Sequence, residues 1–213
     1  MDRRSFLSLG LGLGLVEMVA TSVVQAAQVP SLAATNNLPA SILPRSRAAQ
    51  TGFLPNVPLI TQNGEHVNFY DDMVQGKTVL LNFFLITCKE GRCPVAMANI
   101  RRVQELLGDR MNKEVFFLSI TLQPEFDSPK ALKAYAEGLD AQPGWTFLTG
   151  KAADIETLRR GLGFVDIDPE RDRDLTNHIG MARYGNDSLN RWGSVSLRSS
   201  STNIASTFKW LSK

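Results

Sequence analysis

Residues 77–107, "KTVLLNFFLITCKEGRCPVAMANIRRVQELL", change their hydrophobic period part-way along, and that change decides the fold. Positions 77–86 form an unbroken apolar, β-rich run, which suits a central strand buried on both faces. After Cys93 the apolar residues Ile100, Val103 and Leu107 recur at helical spacing, and Pro94 is placed as a first helical residue. The chain's only two cysteines, Cys88 and Cys93, stand where the strand hands over to the helix. On a continuous helix, residues five apart point about 140° from one another and lie about 7.5 Å apart along the axis, so the pair serves one ligand only if a loop separates them. Gly91 supplies backbone freedom for that loop. The free amides of the helix start, together with Lys89 and Arg92, favour thiolate over thiol, making both sulfurs nucleophiles and soft-metal ligands.

The elements on either side alternate. "VPLITQNGEHVNFY", residues 57–70, reads as a hairpin around Asn63-Gly64. "EVFFLSI", 114–120, is a second buried strand, and Ser128-Pro129 opens a helix over "KALKAYAEGL". "GWTFLTG", 144–150, is a short strand, and "DIETLRRGLG" a helix ending at Gly161 or Gly163. His178 to Tyr184, with Gly185-Asn186-Asp187 as the turn, predicts a late hairpin, and Ile204, Phe208 and Leu211 mark a closing helix. The pattern is an α/β sandwich: a mostly parallel central sheet flanked by helices, with an N-terminal hairpin. A thiol pair at the junction of its first central strand and helix is the thioredoxin arrangement.

The composition, 43% hydrophobic and 21% charged over 213 residues, is that of one globular domain with extensions. A net charge of +2 gives no reason to expect nucleic acid or anionic lipid as a partner. Two cysteines are too few for a disulfide framework, so their placement needs a local explanation. Residues 1–27 read as an export signal: Arg3-Arg4, then "LSLGLGLGLV", then small residues before Ala27. The paired arginines resemble a twin-arginine signal, although Glu17 interrupts the apolar stretch. Glu17 and the glycines also argue against a stable membrane span once the signal is cleaved; an uncleaved signal would leave the protein anchored. Residues 28–51, rich in Ala, Pro, Ser and Asn, are a flexible linker, and the folded domain covers 52–213. The expected location is exported and, in a bacterium, periplasmic.

The strand running into "TCKEGRCPV", the segment "FLSITLQPEFDSPKALKAYAE", "GWTFLTG" and "NHIGMARYGN" together resemble the Sco/SenC family, a thioredoxin-like copper-binding branch that takes part in assembling the copper centre of cytochrome oxidase. The resemblance covers about residues 52–213 and puts Cys88, Cys93 and His178 on the family's three copper-ligand positions. It implies one bound copper ion, Cu(I) or Cu(II), and a copper-accepting oxidase subunit or other periplasmic copper or thiol protein as partner. Two departures stand out. Four residues separate the cysteines where the family usually has three, and Gln123 replaces the first Asp of D-P-x-x-D while Asp127 keeps the second.

Two thiolates and an imidazole form a soft, three-coordinate set suited to Cu(I). Structural zinc wants four protein ligands, and the other histidine, His66, belongs to the early hairpin. Other readings stay open. The cysteines could form an inert disulfide, act as the redox pair of a thiol-disulfide oxidoreductase, or serve a redox or copper sensor. Met97 shares a helix face with Cys93 and is an axial-ligand candidate, with core packing the plainer expectation. The acidic run "DIDPERDRD", 166–174, is expected to be a solvated loop; its other readings are acids that dock a partner or that orient His178. Arg171 stands where a calcium loop needs glycine.

Overall fold

The computed structural model describes residues 53–87 and 92–211; the side chains of Arg92 and Cys93 are outside that description. The signal, residues 1–27, and the linker, 28–51, lie outside the described residues, as do Cys88, Lys89 and Gly91. One seven-stranded mixed sheet organises the rest, in the order β2-β1-β5-β4-β3-β6-β7. Its strands are β1 (Pro58–Thr61), β2 (His66–Asn68), β3 (Thr78–Phe84), β4 (Val115–Thr121), β5 (Trp145–Gly150), β6 (Met181–Asn186) and β7 (Arg191–Ser196). The helices are α1 (Arg92–Leu107), α2 (Pro129–Gly138), α3 (Ala152–Gly161), the short α4 (Pro169–Arg173) and α5 (Ser201–Leu211). The three central strands run parallel, β3 with β4 and β4 with β5. Antiparallel pairs flank them, β1 with β2 and β5 on one side, β6 with β3 and β7 on the other.

The strand over 77–86 is β3, and its unbroken hydrophobicity has the expected cause. Val79, Leu81 and Phe83 point into a core shared with Phe69, Tyr70, Ile155 and Leu158, whereas Leu80 and Phe84 point into a second core. The second core is filled by Met97, Ile100 and Val103 of α1, Leu132 of α2, and Ile204 and Phe208 of α5. Both faces of the sheet are therefore covered, and every residue from Val79 to Leu85 is buried. The one polar position, Asn82, accepts a hydrogen bond from Ser119 Oγ (2.7 Å), which itself accepts from Trp145 Nε1 (2.9 Å). Asn82 Nδ2 lies 3.5 Å from Met97 Sδ. Met97 is fully buried in this layer, so core packing is what it does.

Three local expectations need correction. The helix after the thiols starts at Arg92, so Pro94 is not its first residue; its missing N–H falls within the first turn, whose amides have no intrahelical partner in any case. The late hairpin turns at residues 187–190, because Gly185 and Asn186 belong to β6. Gly185 is there to admit the Trp192 ring, which a Cβ would approach to 2.3 Å. The acidic run 166–174 is not a solvated loop. Asp168 caps α4 by accepting from Glu170 N (3.0 Å), and Asp174 caps a 3-10 turn, Leu175–His178, by accepting from Thr176 N (3.0 Å). His178 thus ends a 3-10 turn and precedes the hairpin instead of opening it. A single π-helical turn, Phe69–Val74, was not legible in the sequence; it buries Phe69, Tyr70 and Val74 under the sheet.

Candidate metal centre

The sheet order brings the sequence-predicted residues to one end of the molecule. β3 is parallel to β4 and antiparallel to β6, so the end where β3 and β4 finish is the end where β6 begins. Beyond the last β3–β6 pair, Asn82 with Ala182, one strand continues towards Cys88 and the other is entered from His178. The helix carrying Cys93, α1, starts after the same strand. His66, by contrast, is exposed on the edge strand β2, beyond β1, β5 and β4 from β3. Among the described residues no group of three His, Cys, Asp or Glu side chains could hold a metal ion. Of the three predicted ligands, His178 is the one whose side chain is described.

The β4–α2 connection forms one wall beside Thr87. Leu122 N donates to Phe84 O (3.0 Å), continuing the β3–β4 ladder by one bond, and Thr87 Oγ1 lies 3.4 Å from Gln123 Oε1. Gln123, the departure from the acidic pattern, is thus a neutral neighbour of the residue before Cys88. Asp127 is 3% exposed, accepts from the Thr121 hydroxyl, and also accepts from the Ile86 N–H. Burial pushes its carboxyl up from the ordinary value, against the pull of those two donors.

His178 stands on the other wall and is 4% exposed. Its Nε2 lies 2.9 Å from the Asp172 carbonyl oxygen and 3.2 Å from Arg159 Nη1. Among the described residues no group hydrogen-bonds its Nδ1. Arg159, on α3, is 3% exposed and ion-paired to Asp172 (2.8 Å) and Glu156 (2.7 Å). Hydrogen bonds from Arg159, and one from the Asp166 N–H, hold the Asp172 carboxyl far below the usual carboxylate range. Asp172 and Glu156 push the Arg159 guanidinium up in return, so it stays charged. His178 also borders a cleft of about 140 Å³ with Phe164, Asn177, Met181, Arg183 and Ser194.

Arg159 is the residue the sequence reading passed over, although a signal was present. Ile155, Leu158, Arg159 and Leu162 follow the spacing of one helix face, and all four are buried. A cation on an apolar stripe needs a partner, and the acidic run just downstream supplies one.

Residues 48–178 match the SCO1/SenC family model, more than half of the chain. The chain belongs to the SCO1/SenC family. The match ends on His178 and takes in both cysteines. A Stutzerimonas stutzeri protein named for copper binding is 27% identical over 149 residues, 68% of each chain. Two solved structures share the fold of this SCO1/SenC chain. Bradyrhizobium japonicum ScoI, solved with copper bound, gives a TM-score of 0.58 at 23% identity, covering 74% of this chain and 98% of that one. BsSco, described as a member of the Sco family of cytochrome c oxidase assembly proteins and as having a disulfide switch, gives 0.58 at 24% identity over 75% and 92%. The thioredoxin-like α/β sandwich expected of a SCO1/SenC protein is the fold observed. None of the helices in the described residues is long and apolar enough to cross a membrane.

Proposed function

We propose that the protein is a copper metallochaperone, holding one copper ion between Cys88, Cys93 and His178 and passing it to a copper-accepting subunit of a respiratory oxidase. The observation that carries this reading is His178: a buried imidazole with one nitrogen held by the fold and the other without a hydrogen-bonding partner among the described residues, at the end of the sheet where β3 leads to Cys88 and α1 begins. The family membership and the copper-bound relative support it. Two thiolates and a neutral imidazole suit Cu(I) in a three-coordinate set, which leaves room for an incoming thiolate or imidazole of the recipient. Transfer then proceeds by ligand exchange, one protein ligand leaving as one recipient ligand binds, with no change of oxidation state. On the same reading residues 1–27 direct export to the periplasm, and residues 28–51 tether the copper-binding domain, 52–213.

Anaerobic titration of the reduced protein with Cu(I), in competition with a chromophoric chelator, tests the proposal. One ion per chain is expected, with affinity strongly weakened in Cys88→Ser, Cys93→Ser and His178→Ala. A reduced wild-type protein that takes up no stoichiometric copper defeats it. Insulin reduction that survives in His178→Ala would instead assign the cysteine pair to thiol-disulfide exchange, which has no need of a distant imidazole.

A further inference from the structure

We infer that Arg159 is a positioning residue for His178: together with Asp172 it fixes which imidazole nitrogen carries the proton, and so which one is left to take a metal ion. The inference rests on the copper reading for the word metal, but the tautomer follows from the hydrogen bonds alone.

A guanidinium has five N–H bonds in a rigid plane. Here all five are committed elsewhere. Nε donates to Glu156 Oε2 (2.7 Å). One Nη2 hydrogen goes to Glu156 Oε1 (2.8 Å) and the other to Asp172 Oδ2 (2.9 Å). The Nη1 hydrogens go to Phe164 O (2.6 Å) and Asp172 Oδ1 (2.8 Å). Nη1 therefore has no hydrogen left for His178 Nε2, although the two atoms are 3.2 Å apart. The same ring nitrogen faces the Asp172 carbonyl at 2.9 Å, and a carbonyl only accepts. Were Nε2 bare, its lone pair would meet a carbonyl lone pair on one side and a guanidinium already fully donated on the other. In the neutral ring Nε2 must carry the proton and donate it to Asp172 O. Nδ1 is then the nitrogen with the free lone pair, the form required of a metal ligand.

The clamp also explains why the segment needs both its members. Asp172 contributes its backbone carbonyl to His178 and its carboxylate to Arg159, so the pair that anchors the guanidinium also places the acceptor for the ring. Arg159 ties the whole assembly to α3, a helix packed on the sheet through Ile155 and Leu158. Lysine keeps the charge but has three donors and no fork, so it cannot reproduce the five hydrogen bonds that Arg159 makes to Glu156, Asp172 and Phe164.

The chain has two histidines, which makes a direct test practical. In a His66→Gln background the ring nitrogens of His178 can be read by two-bond proton–nitrogen correlation NMR on the reduced, metal-free protein, alongside Cu(I) affinity by chelator competition. Wild type is expected to show a single Nε2–H tautomer. Arg159→Lys and the milder Asp172→Asn are expected to give mixed tautomers and to weaken Cu(I) binding by roughly 10- to 100-fold while staying folded; if Arg159→Lys unfolds, Asp172→Asn carries the test. An Nδ1–H ring in wild type overturns the inference. So does a folded variant with unchanged tautomer and unchanged affinity. If wild type binds no copper but the tautomer still responds to either variant, the clamp stands and the copper reading falls. Copper binding and a ring tautomer that both stay as in wild type in folded Arg159→Lys and Asp172→Asn have the opposite meaning.

Discussion

Met97 and Asp127 show how much a single position depends on what surrounds it. Met97 lies on the helix face of Cys93, yet it is fully buried against Asn82 in the α1 layer. Met97→Leu nearly conserves volume, so it should cost less than about 1.5 kcal/mol in urea denaturation and leave copper stoichiometry unchanged. Loss of copper in that variant would restore the axial-ligand reading. Asp127 has the opposite character, a carboxyl buried beside the Ile86 N–H whose protonated form the fold favours. The folded state therefore binds its proton more tightly than the unfolded chain, whose carboxyl titrates near about pH 4. This group's contribution to stability is present below that value and is lost as pH rises through the higher folded value. Asp127→Asn should accordingly gain stability relative to wild type on going from about pH 4 to neutrality, read by denaturant midpoints along the pH series; a flat difference contradicts it. Both cysteines and His178 were legible in the sequence as candidate site residues. Arg159 was not, because its role is defined by partners spread from Glu156 to His178 and by a hydrogen-bond count that only the folded geometry supplies.

At the scale of elements, hydrophobic period and caps were enough to locate the long elements, but not the turn of the late hairpin or the first residue of α1. Ser128 caps α2 by accepting from Ala131 N (3.3 Å), as the Ser-Pro pair predicted; β3 and β5 fall within their apolar runs, and β4 runs one residue past its own, to Thr121. Short polar elements were missed for a physical reason: α4 and the 3-10 turn after it are held by Asp168, Asp174 and the Arg159–Asp172 pair, not by an apolar face. The π-helical turn gave no period at all and is held by burial of Phe69, Tyr70 and Val74. The displaced hairpin turn yields a prediction of its own. A methyl at position 185 would sit 2.3 Å from the Trp192 ring, so Gly185→Ala should destabilise by about 1–3 kcal/mol and perturb the near-UV circular dichroism of that tryptophan. An unchanged spectrum and melting temperature would refute the packing argument.

At the scale of the molecule, the sheet is a partition between two cores, and α5 closes the second. Phe208 is fully buried there, with ring centroids 6.1 Å from Phe117 and 6.4 Å from Tyr184. Phe208→Ala is expected to cost about 3–5 kcal/mol, measured by chemical denaturation, because it empties a site bounded by β4, β6 and α1. A loss under about 1 kcal/mol would mean that α5 is an appendage. The fold class was legible because strands and helices alternate through the centre of the chain. The mixed character of the sheet was less so, since the direction in which β6 joins β3 depends on a pairing between distant parts of the sequence. That pairing also sets an order of assembly. The thiols belong to a contiguous stretch of chain, but the imidazole reaches their end of the sheet only when β6 has closed against β3, a long-range event that comes at the expense of chain entropy. In the proposed site, a chain that crosses a membrane unfolded therefore arrives with its two sulfurs alone as ligands, whereas one that crosses already folded can carry its cargo in the complete set.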